Sequence, residues 1–253
     1  MPRSRARLIA AVSALFVTLA ACTTPAPEPP PAPPGPPAVP GDVLNLANWK
    51  LTLPVGSGDE PDEILPPQLH SFTGDFFRLD SAGSGVVFTA NAGGVTTEGS
   101  GYPRCELREM DGGELASWSN LSGTHTMTVR EAITQVPQVK PHVVAAQIHD
   151  AEDDVVMVRL EGTHLFVEYA DGESEFTLDE HYRLGTPYDL RITAAGGRVQ
   201  VDYNGVRKGD VPLAGSGWYF KAGTYTQSNP SRGDAPDAAG QVVIYSLDVQ
   251  HAP

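Results

Sequence analysis

The sequence VVMVRLEGTHLFVEY, residues 155–169, contains two short apolar runs separated by the turn-forming pair Glu161-Gly162. Helical periodicity is nearly absent here, and a second turn signal follows at Asp171-Gly172. Consecutive strands are therefore predicted over residues 155–160, 164–169 and 175–178. Short runs joined by tight turns are typical of an antiparallel sheet.

The same pattern extends in both directions along the chain. Val199, Val201 and Tyr203 alternate with polar residues before the strong turn signal Asn204-Gly205, and residues 241–249 predict a closing strand. About a dozen such runs in roughly 210 residues favour an all-β fold, a jelly-roll β-sandwich in one domain. One short helix is expected over residues 62–70, next to several prolines.

The first 21 residues predict a secretory signal peptide. Three arginines precede an uncharged run over residues 8–21, which is too short to span a bilayer comfortably. The run ends in Leu19-Ala20-Ala21-Cys22, which resembles the lipobox of bacterial lipoproteins and predicts lipidation of Cys22. The alternative is an ordinary signal peptide cleaved nearby. Both alternatives predict export, with the protein either lipid-anchored to the cell envelope or secreted.

Residues 22–41 predict a tether between this signal and the folded domain at 42–253. Ten of the sixteen residues from Pro25 to Pro40 are proline, a composition that favours extended polyproline II. We therefore expect a stiff spacer of roughly 50 Å at about 3.1 Å per residue.

Charge and cysteine content exclude several classes of protein. Without the three leader arginines, 14 basic and 31 acidic residues give a net charge of −17, which is hostile to nucleic acid. The two cysteines, Cys22 and Cys105, do not indicate a disulfide framework, and the sequence lacks CxxC and HExxH spacing typical of zinc sites. A polyanionic substrate would require the scarce positive charges to gather at one site.

Three predicted strands carry polar side chains on one face, because residues two apart in a strand point the same way. Alternation groups Arg104 with Glu106 and Arg108, so that one carboxylate is expected to hold two arginines. It also groups Gln147 with His149. A third face combines Tyr219, Lys221, Tyr225 and Gln227, with Gly223 leaving a gap that suits a sugar ring. Each pattern alone also fits a solvated sheet face or an edge strand.

Together these segments resemble polysaccharide lyase family 7, the alginate lyases. The matching motifs are RCELRE (104–109), QIH (147–149) and YFKAGTYTQ (219–227), with NWKLTLP (48–54) similar to the family's opening strand. Cys105 departs from the small polar residues associated with its position, with little expected effect because it points away from the arginines. The resemblance implies two curved antiparallel sheets with a concave groove, and β-elimination of 1,4-linked uronates to 4,5-unsaturated oligosaccharides.

The resemblance also implies roles for individual residues. Arg104, Gln147 and His149 would surround the substrate carboxylate, His149 would act as base for guluronate and Tyr225 as acid. For mannuronate, Tyr225 would do both. Isoleucine between Gln147 and His149 favours guluronate or mixed blocks. Residues implied in substrate binding are Glu106, Arg108, Tyr219, Lys221, Gln227 and Lys50, and no metal or cofactor is required.

Other interpretations remain open from the sequence. They are a lyase for another polyuronate such as glucuronan, a non-catalytic carbohydrate-binding module, a glycoside hydrolase and a structural surface lipoprotein. A hydrolase would need two carboxylates facing the bond, and Glu106 between arginines is a poor acid. The expected partner is alginate or a related polyuronate, bound by a monomer that contacts membrane only through its lipid anchor.

Overall fold

A computed structural model describes residues 35–58 and 60–253. The predicted signal peptide, Cys22 and most of the proline-rich tether lie outside the described residues. Residues Pro36–Pro253 form one compact unit, in which Pro40 is buried and Pro40–Asp42 form a single 3-10 turn. Within the described ranges, no helix has the length and apolar character needed to cross a membrane.

The described part of the chain is nearly all-β, in agreement with the predicted class. One short helix, α1, spans Gln68–Ser71, and a second 3-10 turn spans Pro230–Arg232. The strands are β1 (Trp49–Ser57), β2 (Glu60–Ile64), β3 (Phe77–Leu79), β4 (Val86–Asn91), β5 (Arg104–Asp111), β6 (Glu114–Leu115), β7 (Thr124–Gln135), β8 (His142–His149), β9 (Asp154–Glu161), β10 (His164–Tyr169), β11 (Ser174–Asp179), β12 (Tyr188–Ala195), β13 (Arg198–Tyr203), β14 (Val206–Pro212), β15 (Tyr219–Thr226) and β16 (Ala239–Ala252).

Two antiparallel sheets form the sandwich. The groove sheet has the order β11-β10-β9-β8-β15-β5-β1-β2, with β6 paired to β5, and the opposite sheet has the order β14-β13-β12-β7-β16-β4-β3. Side chains that alternate inward from each strand fill the space between the sheets, including Leu107 and Phe220 from the groove sheet and Phe88, Val129 and Ile192 from the opposite one. The jelly-roll prediction is confirmed.

The turn predicted at Asn204-Gly205 is confirmed. Asn204 and Gly205 both adopt positive φ, 48° and 77°, between β13 and β14, as a tight hairpin turn requires. The predicted helix over residues 62–70 was largely wrong. Residues 60–64 instead form the edge strand β2, and only Gln68–Ser71 are helical. The consecutive prolines Pro66 and Pro67 disfavour helix in the residues before them, so the helix starts only afterwards.

A carboxylate on the core side of β5 joins this strand to its neighbours. One oxygen of Glu109 accepts the backbone N–H of Phe220 at 2.9 Å and the indole N–H of Trp118 at 3.0 Å. The other lies 2.5 Å from Nε2 of His251 on β16. Glu109 is 3% exposed, so these bonds form where competition from water is weak. These bonds hold β5 in place on its core-facing side, opposite the face that carries the arginines.

Candidate active site

A groove of about 530 Å³ crosses the outer face of the groove sheet. Its floor comes from β1, β5, β8 and β15, and its walls include the loops at residues 97–102 and 151–153. Strands β8, β15 and β5 are adjacent, so motifs that are far apart in sequence become neighbours. In register, Tyr219 pairs with His149, and Tyr225 pairs with Arg104.

Glu106 lies beneath the groove and holds its cationic groups together. Its Oε2 lies 2.6 Å from Nζ of Lys221 and 3.5 Å from Nη1 of Arg104, while Oε1 accepts a short hydrogen bond from the Gln147 amide. Burial alone would raise the pKa of Glu106, but the charges of Lys221 and Arg104 and these hydrogen bonds lower it below its ordinary value. Glu106 is therefore an ionised anchor.

Two expectations about this anchor need correction. Glu106 was expected to contact substrate, but its side chain is fully shielded and both oxygens are occupied by its neighbours. It was also expected to hold Arg108, whose guanidinium instead donates to the backbone oxygens of Glu109 and Ala116. Lys221 from the adjacent strand takes the place that Arg108 was predicted to fill.

Arg108 is positioned by an aromatic ring instead. Its guanidinium carbon lies 3.8 Å from the ring centroid of Tyr219, and both side chains line the groove. Lys50 also lines the groove, with its ammonium 2.5 Å from Glu63. Gln227, by contrast, is 6% exposed and does not line the groove, although its backbone N–H still bonds His142 of β8.

The imidazole of His149 is held in one tautomer. Nδ1 lies 2.6 Å from the backbone oxygen of Asp150 and 3.1 Å from the hydroxyl of Tyr219. A carbonyl oxygen only accepts, so Nδ1 carries the proton and Nε2 keeps its lone pair in the neutral ring. Burial and the nearby charge of Lys221 lower the pKa of His149, which favours this neutral form near pH 7.

Tyr225 lies between a guanidinium and a hydroxyl. The guanidinium carbon of Arg104 lies 3.9 Å from the centroid of the phenol ring, and the phenol oxygen lies 2.9 Å from Oγ of Ser100. Arg104 also donates to Ser100 at 3.1 Å, while its Nε–H has no hydrogen-bond partner within the described residues. Arg104 thus retains a donor while it supports Tyr225.

Comparisons with known proteins show which family this chain belongs to. The family described as "Alginate lyase" matches residues 44–251, which is most of the chain. This chain belongs to the alginate lyase family. Alginate lyase AlgAT5 from polysaccharide lyase family 7 is 52% identical, with a TM-score of 0.83, over 85% of this chain and 100% of that one.

Two further solved structures place the lyase among similar enzymes. The alginate lyase from Corynebacterium sp. is 47% identical, with a TM-score of 0.82, over 86% of this chain and 100% of that one. Alginate lyase A1-II', also of family 7, is 28% identical, with a TM-score of 0.75, over 85% of this chain and 99% of that one. No protein of the curated set matches the lyase significantly.

The reason for glycine at position 223 of the lyase differs from the prediction. A Cβ there would lie 2.6 Å from the backbone oxygen of Cys105 and 2.9 Å from Cα of Glu106, at a φ of 143°. Glycine is therefore required by close packing against β5. The predicted gap for a sugar ring was the wrong explanation, because alternation alone does not show how near the next strand comes.

Sequence reasoning missed the loop residues around Tyr225. Ser100 and Tyr102 line the groove, and Lys140 and Arg232 approach the Tyr102 hydroxyl from two other segments. None belongs to an alternating strand pattern, so the spacing argument could not identify them. The available signal was the scarcity of positive charge, which makes each unpaired basic residue of this lyase a candidate for substrate binding.

Proposed function

We propose that this alginate lyase uses Arg104 and Gln147 to bind the substrate carboxylate, His149 as base and Tyr225 as acid. The hydrogen at C5 of a uronate lies next to an ionised carboxylate, and its removal places further negative charge on that group. The guanidinium of Arg104 and the amide of Gln147 would stabilise this charge as it develops. Gln147 is held by Glu106, and Arg104 by Glu106 and Ser100, so both donors are organised before substrate binds.

These groups account for every proton and electron pair that moves in the proposed elimination. Nε2 of His149 takes the C5 proton, and the electron pair of that bond forms the C4–C5 double bond. The bond between C4 and the glycosidic oxygen breaks as Tyr225 protonates that oxygen. The products are a new hydroxyl end and a 4,5-unsaturated uronate, and the proton on His149 must return to Tyr225 through solvent before the next turnover.

The observation that most directly supports this catalytic assignment is the tautomer of His149. Because Nδ1 is committed to the Asp150 carbonyl, the unprotonated nitrogen is Nε2, which has no hydrogen-bond partner among the described residues. The lowered pKa keeps this nitrogen available at neutral pH. A base with a free lone pair, beside two carboxylate-binding donors, matches what elimination at C5 requires.

We further propose a preference for guluronate or mixed blocks, supported by the QIH motif at residues 147–149. Alginate lyase A1-II' has been crystallised with a substrate denoted GGMG, at 27% identity to this chain. For guluronate, His149 and Tyr225 would act separately as base and acid, whereas for mannuronate Tyr225 would do both. Digestion of polyguluronate, polymannuronate and glucuronan, followed by sizing of the products, tests this preference.

The catalytic assignment is tested with two variants and two matched controls. His149→Ala and Tyr225→Phe should each abolish the rise in ultraviolet absorbance from unsaturated ends on guluronate substrate. His181→Ala and Tyr245→Phe make the same chemical changes at an exposed loop position and on the opposite sheet, and should retain full activity. Substantial turnover by either groove variant, with normal unfolding, would refute the assignment.

We also propose that the protein is exported as a monomer and anchored through a lipid on Cys22, with residues 22–41 as the tether. The signal-like residues 1–21 and the lipobox-like sequence before Cys22 support this proposal. Expression in a bacterial host with labelled fatty acid should label the parent chain but not Cys22→Ser. Labelling of both, or of neither, would contradict the anchor.

A further inference from the structure

Beyond Tyr225, a second group of positive charges converges on one phenol. The hydroxyl of Tyr102 accepts hydrogen bonds from Nζ of Lys140 and from Nε of Arg232, each at 3.1 Å. Tyr102 itself lines the groove, and its ring centroid lies 6.4 Å from that of Tyr225. We call Tyr102, Lys140 and Arg232 the basic rim.

The two cations of the basic rim, Lys140 and Arg232, form no side-chain ion pair within the described residues. The neutral phenol of Tyr102 accepts hydrogen bonds from both basic groups but does not neutralise their charge. Burial would raise the pKa of Tyr102, but the two cations together lower it below its ordinary value. The nearby carboxylate of Asp234 bonds backbone N–H groups and not these two cations. Two cations that converge on a neutral phenol without a side-chain ion pair, in a chain rich in acidic residues, can bind an anion.

One buried carboxylate fixes the backbone of Lys140 and lies two residues after Arg232. Asp234, 3% exposed, accepts the backbone N–H groups of Gln138, Val139 and Lys140 at 2.8–2.9 Å and the hydroxyl of Ser228 at 2.6 Å. Its oxygens are thus occupied by these bonds. Asp234 links the segment that carries Lys140 to the segment that carries Arg232.

A second link ties this assembly to the groove wall. The amide of Asn229 donates to the backbone oxygen of Gly101 at 2.7 Å, and the backbone N–H of Tyr102 donates to Ser100, which contacts Tyr225. The basic rim therefore has a defined position next to the proposed reaction centre. Neither Lys140 nor Arg232 contacts the groups assigned to the elimination itself.

We propose that the basic rim is a further subsite that binds the carboxylate of a neighbouring uronate in the substrate chain. A 1,4-linked polyuronate carries one carboxylate on every sugar, so a chain held at Arg104 presents further carboxylates along the groove. The guanidinium of Arg232 and the ammonium of Lys140 would share one of them through charge-assisted hydrogen bonds. This subsite would favour substrates long enough to reach it, and the inference rests on the proposed binding of substrate at Arg104.

The dependence of activity on substrate length tests the subsite. The measured quantity is the kcat/KM for long guluronate oligomers divided by the kcat/KM for the shortest oligomer that is cleaved. Arg232→Gln and Lys140→Gln should each lower this ratio by about tenfold. Arg191→Gln removes the same charge from an exposed position on β12, in the opposite sheet, and should leave the ratio unchanged. Raising the salt concentration should reduce the advantage of long oligomers in the parent more than in Arg232→Gln.

Direct binding gives a second measurement that does not need turnover. In the inactive background Tyr225→Phe, calorimetry should show tighter binding of long oligomers than of short ones, and Arg232→Gln should remove most of that difference. An unchanged length dependence, or an equal loss at every length, would overturn the subsite. The two failures are distinguishable: the catalytic assignment fails if His149→Ala or Tyr225→Phe remains active, whereas the subsite fails if the length dependence persists in Arg232→Gln.

Discussion

The hydroxyl of Ser100 lies 2.9 Å from the phenol oxygen of Tyr225. The Ser100 oxygen already accepts N–H groups from Arg104 and from the backbone of Tyr102, at 3.1 and 3.2 Å. Its own proton has two acceptors within reach, the backbone oxygen of Tyr102 at 3.2 Å and the nearer phenol oxygen, to which it can be donated. Such a bond leaves the phenol proton free for the departing sugar and stabilises the phenolate that remains.

Ser100→Ala should therefore lower kcat on guluronate substrate by about tenfold and change KM much less, because the lost bond strengthens as charge develops on Tyr225. Ser100→Thr keeps the hydroxyl and should restore most of the activity. Ser246→Ala, at an exposed position on β16, is the matched control. A higher KM with unchanged kcat would instead indicate a role in substrate binding only.

The pH profile should reflect the environment of His149. Burial and Lys221 lower the pKa of His149 from its ordinary value of 6.5, so the acid limb of kcat/KM should lie below that pH. Lys221→Met removes a nearby positive charge and should move this limb to higher pH. A limb that stays in place, or moves to lower pH, would contradict the proposed base.

Gly223→Ala should destabilise the fold by about 2–4 kcal/mol, because the new methyl group meets the backbone of β5 at an unfavourable φ. Activity should fall as well, since a displaced β5 carries Arg104 with it. Denaturant unfolding measures the first effect and turnover the second. At Gly74 a Cβ would make only an ordinary contact of 3.6 Å, so Gly74→Ala should change neither.

Stability should vary with pH through Glu131, a fully buried carboxyl on β7. Burial raises its pKa from 4.5 to about 7, although Tyr188 donates a hydrogen bond to Oε1 at 2.9 Å. Below pH 4.5 the folded and unfolded states are both protonated and the effect is absent. Above about pH 7 both are ionised, and folding bears a penalty of about 3 kcal/mol.

Glu131→Gln carries no such ionisation. The parent should therefore lose about 3 kcal/mol of unfolding free energy relative to Glu131→Gln as pH rises from 4.5 to 7, with no further change above that range. Comparing the two proteins at each pH removes the contribution of other titrating groups. Parallel pH profiles for parent and variant would show that Glu131 does not ionise as expected.

Sequence reasoning predicted most of the fold because alternation and turn chemistry are local. The strand pattern around Val155 and the Asn204-Gly205 turn needed only near neighbours, and the motif faces followed from the two-residue repeat. The partner of Glu106 could not be predicted in this way, because Lys221 reaches it across the strand pairing of β15 with β5. Pairing between distant strands depends on the whole sheet.

The same limit explains what was missed at the groove. Ser100 and Arg232 lie on loops, where no periodic signal reports side-chain direction, and their contacts involve residues 125 and 130 positions away in sequence. The role of Gly223 was misassigned for a related reason, since the nearest backbone belongs to another strand. Contacts of this kind require coordinates.

The division between strands and loops matters for engineering. The groups proposed for the elimination occupy β5, β8 and β15, three adjacent inner strands that are paired on both sides, whereas Ser100, Lys140 and Arg232 come from surface segments. Natural variation or directed evolution in those segments could retune the preferred chain length while the bond-breaking chemistry is inherited intact. Grafting rim loops between relatives is therefore a more promising route to altered product sizes than redesigning the floor of the groove.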